Sequence, residues 1–260
     1  MPDITEFYSA LVDNTADFVG FDGNIEDYPF DESMVAYRSK RSFPDMILLS
    51  GPMIEVKDSK SSTVTSFNST YPSGRKSVVD IEEMSGRTKK SMRESLREAE
   101  SDPSFSEKRD VYYLVRTNRN DDPTVSFVHG SYFGDSESSA ISETIGQVLR
   151  EIQGEEETDR YDDLLEVIEE EPYVRNHFSQ TRKTSTGVKI RYRIMYEVDN
   201  DLNPNEHPEV PRGSLSLVAP TGRFSSAEIL ESEASADMSK KIEHGSSDRD
   251  DEFYLGVSLP

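Results

Sequence analysis

The chain has 260 residues, with 51 acidic against 29 basic side chains, a formal charge of −22, and neither cysteine nor tryptophan. No disulfide or thiolate-metal chemistry is open to it, and neither a membrane-length apolar run nor a charged-then-apolar leader is seen, so a cytoplasmic protein with no membrane role is expected. So acidic a surface repels other polyanions at low salt, but the composition is similar to that of halophilic proteins, and at about molar salt a Debye length of about 3 Å leaves local contacts to decide.

Ile4, Phe7, Tyr8, Leu11 and Val12 recur at helical spacing, and Asp3 with Glu6 three residues on fits a capped start, so a helix is expected from Ile4 to Phe18. Its acids Glu6 and Asp13 suit a solvated face. Gly20 to Pro29 is acidic and turn-rich. Arg38, Lys40 and Arg41 then form a small basic cluster.

Two apolar runs, Met46 to Leu49 and Met53 to Val56, flank Ser50-Gly51-Pro52 and read as a hairpin. Pairing residues whose numbers sum to about 101 sets Asp45 across from Val56, between Glu55 and Lys57. Residues two apart on a strand share a face, so Glu55 and Lys57 can converge with Asp45. Paired carboxylates suit a hard divalent cation such as magnesium, and a neighbouring amine can orient water or offset phosphate charge. A solvated surface hairpin is the competing reading, opposed by the packing of Ile54 and Val56 on the other face. Asp58-x-Lys60 offers the same spacing without that apolar setting.

The polar stretch Ser61 to Asp80 contains Asn68, Ser69, Thr70 and Tyr71, followed by Arg75 and Lys76. An Asn amide can read adenine, and the cations suit phosphates. Arg87 to Glu100 reads as a helix through Met92, Leu96 and Ala99. Asp110 to Thr117 and Thr124 to Phe133 read as strands around the turn Asn118 to Pro123, with His129 expected to be packed. Helices are expected over Ser136 to Gln153 and Tyr161 to Glu170. Glu151 to Glu171 holds eleven acids and one Arg, whereas Pro172 to Tyr196 holds six Lys or Arg and no acid. Within that acid-free block Lys189, Arg191 and Arg193 alternate with apolar residues, which predicts a strand with three cations on one face. Leu215 to Ala219 reads as a short strand. Residues 223–260 read as an acidic, Ser-rich extension, poorly packed until Phe253 to Val257, after a main domain over 1–222.

Pro44-Asp45, Glu55-Val56-Lys57, and then Phe67-Asn68-Ser69-Thr70-Tyr71-Pro72 resemble the PD-(D/E)xK type II restriction endonucleases of the NgoPII-like kind. There, a similar Asn-Ser-Ser-Tyr-Pro stretch follows the catalytic strand. Asp110 through Tyr132 and Gly187 through Met195 are similar as well, so the likeness covers Arg41 to Val198 in pieces. The chain departs at Ser73, where lysine is usual, and lacks a tryptophan expected between the second and third segments. These departures bear on the sequence recognised rather than on the chemistry. The resemblance implies an α/β fold, a mixed central sheet flanked by helices. It implies Mg2+ held by Asp45, Glu55 and the Val56 carbonyl, with Lys57 positioning or helping to deprotonate the attacking water, and a further early carboxylate from Glu6, Asp13 or Glu26, a choice the sequence leaves open. It also implies double-stranded DNA as substrate, a homodimer to cut both strands, and a companion DNA methyltransferase. Asn68, Ser69, Tyr71, Arg75, Lys76, Lys189, Arg191 and Arg193 are then candidates for DNA contact. The alternatives are a structure-selective repair or junction-resolving nuclease with the same metal site, a non-catalytic DNA-binding protein, and an acidic interaction protein.

Overall fold

A mixed β-sheet forms the centre of the molecule. The computed structural model describes residues 4–40, 42–49, 51–64, 66–67, 71–85, 90–134, 144, 146–148, 181–183, 187, 189–191, 196–197, 210–221, 236–243 and 252–260. The strands are β1 (Val35–Arg38), β2 (Met46–Leu48), β3 (Met53–Asp58), β4 (Arg75–Lys76), β5 (Arg109–Thr117), β6 (Thr124–His129), β7 (Thr181–Lys183), β8 (Lys189–Arg191), β9 (Leu215–Pro220), β10 (Ala236–Glu243) and β11 (Glu252–Ser258). Eight of them run in the order β1-β2-β3-β5-β6-β9-β11-β10, with β4 added beside the start of β5. The pairs β3/β5 and β6/β9 are parallel and the others antiparallel. β7 and β8 pair in a hairpin of their own.

The interior strands are buried on both faces, which explains their near-continuous apolar runs. One face gathers Met46, Ile54, Val56, Tyr112, Leu114 and Phe127 beneath helices α1 (Thr5–Asp13) and α2 (Thr15–Val19), where Phe7 and Tyr8 place their rings 5.8 and 6.3 Å from that of Phe127. The opposite face gathers Ile47, Met53, Val111, Tyr113 and Val115 with residues of α3 (Val78–Ser85) and α4 (Lys90–Ala99). The single helix expected from Ile4 to Phe18 is broken at Asn14. Its Nδ2 donates to the Ala10 carbonyl at 2.8 Å, and Thr15 Oγ1 donates to the Val12 carbonyl at 2.7 Å. Such side-chain bonds offer the backbone an alternative to continued helix.

Helix α3 was not anticipated in the polar stretch, yet it has a local signal. The Ser77 N–H donates to Asp80 Oδ2 at 2.7 Å and the Asp80 N–H to Ser77 Oγ at 3.0 Å, a reciprocal capping pair ahead of buried Val78 and Ile81. In α4, Met92 and Leu96 are buried as expected, but Ala99 is exposed. The helices expected over Ser136 to Gln153 and Tyr161 to Glu170 lie outside the described residues, apart from a helical turn at 144 and 146–148. The C-terminal segment is packed at Phe253 to Val257 as expected, and it contributes β10 and β11 to the main sheet. β11 lies between β9 and β10 with Phe253, Tyr254, Leu255 and Val257 buried, so a division at 222/223 would cut the main sheet. No helix among the described residues is long and apolar enough to cross a membrane.

Candidate active site

The turn between β2 and β3 places Gly51 at φ 103°, a conformation that glycine adopts without the penalty a Cβ brings. The pairing is Met46↔Ile54 and Ile47↔Met53, so facing residues sum to 100 rather than 101. Continued one residue further, this register sets Asp45 opposite Glu55 rather than Val56. Directly opposed residues point to the same face of a sheet, so Asp45, Glu55 and Lys57 share a side.

Strand β2 begins only at Met46, which leaves the Val56 N–H without a backbone acceptor from β2. Asp45 Oδ2 takes it at 2.8 Å. On a strand the N–H and C=O of one residue point to the same neighbour, so the Val56 carbonyl also faces the Asp45 side. Lys57 Nζ donates to Glu55 Oε1 at 2.7 Å, in an ion pair whose side chains are only 11% and 12% exposed. The amine also lies 5.9 Å from the centroid of the Phe67 ring. Glu55 Oε2 is buried and has no hydrogen-bond partner.

Of the three early acids, only Glu26 comes near. It sits on the 3-10 turn Ile25–Asp27 and lines one recess with Phe30, Arg38, Ser39, Lys40, Asp45, Met46 and Val56. Glu6 and Asp13 are exposed on α1. Burial foremost, and then the charge of Glu55, push the Asp45 carboxyl up to about 8, against the opposing Val56 N–H and Lys57 amine. Burial also lifts Glu26 above the ordinary carboxylate range, while Lys57 opposes the shift and Glu55, Asp27 and Asp58 add to it. Concentrated negative potential of this kind favours a cation.

Two carboxylates and a carbonyl are hard oxygen donors of the sort magnesium takes alongside its retained waters, and the unpartnered Glu55 Oε2 leaves a lone pair to offer. The residues present therefore fit a magnesium ion. Among the described residues no group of three or more His, Cys, Asp or Glu is already gathered as a ligand cage.

The other candidates are dispersed. Arg75 is exposed, donates to the Lys108 carbonyl at 2.6 Å and pairs with Asp110 at 3.2 Å. Lys76 is 4% exposed with its amine 6.0 Å from the Phe43 ring centroid, so burial withdraws it from the surface where it was expected to meet DNA. Tyr71 packs edge-on against Tyr196 at 5.1 Å. Asn68, Ser69 and Arg193 lie outside the described residues, whereas Lys189 and Arg191 lie on β8 as expected of a strand there. Arg38 donates to Glu32, to the Glu26 carbonyl and to the Tyr28 carbonyl, and Lys40 pairs with Asp27. His129 is buried, with Nδ1 2.7 Å from Ser131 Oγ. No family model, no curated protein and no solved structure matches this chain.

Proposed function

We propose that the protein is a magnesium-dependent type II restriction endonuclease, built on a restriction-endonuclease-like sheet, that hydrolyses both strands of a short specific DNA site. The observation that carries this reading is the convergence of Asp45, Glu55 and Lys57 on one face at the β2/β3 junction, with Glu55 Oε2 left unpartnered.

Asp45, Glu55 and the Val56 carbonyl would hold the ion. When bound, magnesium supplies Lewis-acid polarisation of a phosphate oxygen and a lowered pKa for water. Glu55 fixes the Lys57 amine at 2.7 Å, and from there Lys57 orients the water for in-line attack on phosphorus and offsets the charge that develops. The P–O3′ bond breaks as the new P–O bond forms; the attacking water gives up a proton to solvent and the departing O3′ takes one from solvent, which leaves a 5′-phosphate and a 3′-hydroxyl. Glu26, which lines the recess beside Asp45, would add a further carboxylate to the ion's surroundings. DNA is held by the strand bearing Lys189 and Arg191 with Arg193, and by Asn68, Ser69, Tyr71 and Arg75. A two-fold homodimer presents two such sites to a palindrome, and a companion methyltransferase protects the host. The cytoplasm of a salt-accumulating cell is the setting in which so acidic a chain can approach DNA.

Purified protein incubated with unmethylated plasmid, magnesium and about molar potassium chloride should give discrete fragments. A smear would move the reading to a structure-selective nuclease of the same metal chemistry. Intact plasmid across a salt series would leave no nuclease reading standing.

A further inference from the structure

Behind the recess lies a charged pair that the chemistry above does not use. Arg116 is fully buried, 0% exposed, on β5, and Asp58 ends β3 directly beside it in the parallel register. Arg116 Nε donates to Asp58 Oδ1 at 2.9 Å and Nη2 to Oδ2 at 2.7 Å, a two-pronged pairing. The guanidinium also donates from Nη1 to the Phe21 carbonyl and from Nη2 to the Gly23 carbonyl, both at 2.6 Å. Asp58 Oδ2 accepts in turn from the Ile25 N–H at 3.0 Å and from Arg119 Nη1 at 3.3 Å.

Three backbone groups between Phe21 and Ile25 are thus gripped by two side chains of the central sheet, and the next residue is Glu26. Arg38 takes the Glu26 and Tyr28 carbonyls from the other flank. Replacing a buried ion pair by apolar residues is often neutral or stabilising, so an ion pair is a poor choice if its task were packing alone. What an apolar pair cannot do is bind three backbone groups of one loop at fixed points. We infer that Asp58 and Arg116 are positioning residues, a clamp between β3 and β5 that holds the Phe21–Ile25 loop so that Glu26 stands at the Asp45 recess and takes part in cation binding. This inference rests on the metal-site reading given above.

The test is a double-mutant cycle on the full chain, with Mn2+ binding read by titration calorimetry at about molar potassium chloride, where exposed acids are screened. The clamp is removed by the paired replacement Asp58→Leu with Arg116→Met, which removes both charges together and leaves neither partner ionised alone. Mn2+ affinity should fall roughly 10–100-fold, the loss typical of residues that orient metal ligands. Glu26→Gln should cause a loss of the same size, and adding the clamp replacement to it should cost nothing more. If the replacement lacks the wild-type circular dichroism spectrum, Arg116→Lys serves instead, since it keeps the charge and loses the fork. Wild-type affinity in the clamp variant, or full additivity with Glu26→Gln, would overturn the clamp and leave the Asp45–Glu55 site standing. Should wild-type protein bind no Mn2+ at all, the metal-site reading falls and the inference falls with it.

Discussion

At the scale of single residues, Asp45 carries the most consequence. It closes the strand ladder through the Val56 N–H and stands opposite Glu55, so burial and a like charge both resist its ionisation. Its replacement by alanine should reduce plasmid cleavage more than about 100-fold, while DNA binding in calcium persists; gel-shift and cleavage assays on one preparation separate the two, and a variant that cuts normally would remove Asp45 from the site. A pH dependence follows from the same carboxyl. Its folded-state pKa of about 8 exceeds its ordinary value of 3.8, so the native state retains a proton that the unfolded chain has already lost. The associated stability is complete at acid pH and disappears as pH rises through about 8. Asp45→Asn has no such loss. Melting curves without divalent cation should therefore show the variant gaining on wild type as pH rises from about 5 to about 9; parallel curves would deny the raised pKa.

Among elements, α3 and the β2/β3 hairpin show how local chemistry sets up the site. The Ser77–Asp80 capping pair starts α3, whose Val78 and Ile81 pack on the sheet face that also bears the candidate site. Ser77→Ala should cost about 1 kcal/mol, a melting shift of about 2–4 °C for a domain this large. Leu96→Ala in α4 removes a side chain with 0% exposure and should cost about 2–5 kcal/mol, measured by denaturant unfolding. The hairpin shows what a sequence pattern can and cannot specify. Its two apolar runs and the Gly51 turn were legible, but a register displaced by one residue was not, because the turn's backbone path fixes which residues face each other. The Ser77-x-x-Asp80 signal was present in the sequence and was hidden by the polar residues around it. The rival Asp58-x-Lys60 spacing meets a different fate, since Asp58 is consumed by Arg116 and the Ile25 N–H.

For the whole molecule, charge and topology govern. A net charge of −22 makes self-repulsion a destabilising term that salt screens, so the melting temperature should climb steadily between about 0.1 and about 1 M potassium chloride, over which the Debye length falls from about 10 to about 3 Å. A flat profile would show that the acidic surface carries no such strain. Topology places the last strand, β11, inside the sheet between β9 and β10. Ending the chain at residue 251 would strip Phe253, Tyr254, Leu255 and Val257 from the core, and the product should lack the cooperative unfolding transition of the full chain by circular dichroism.

The sequence by itself determined the mixed α/β character, the β2/β3 and β5/β6 strand pairs, and the shortlist Asp45, Glu55 and Lys57. Each follows from short-range features: apolar runs, turn residues, and the two-residue period that puts Glu55 and Lys57 on one face. The tertiary structure decided the rest. It set Glu26 beside Asp45 while leaving Glu6 and Asp13 exposed, buried Lys76, placed the last strand between β9 and β10, and joined Asp58 to Arg116 across 58 residues of chain. Proximity of that kind arises from the order of strands in the sheet, and no local spacing in the sequence encodes it.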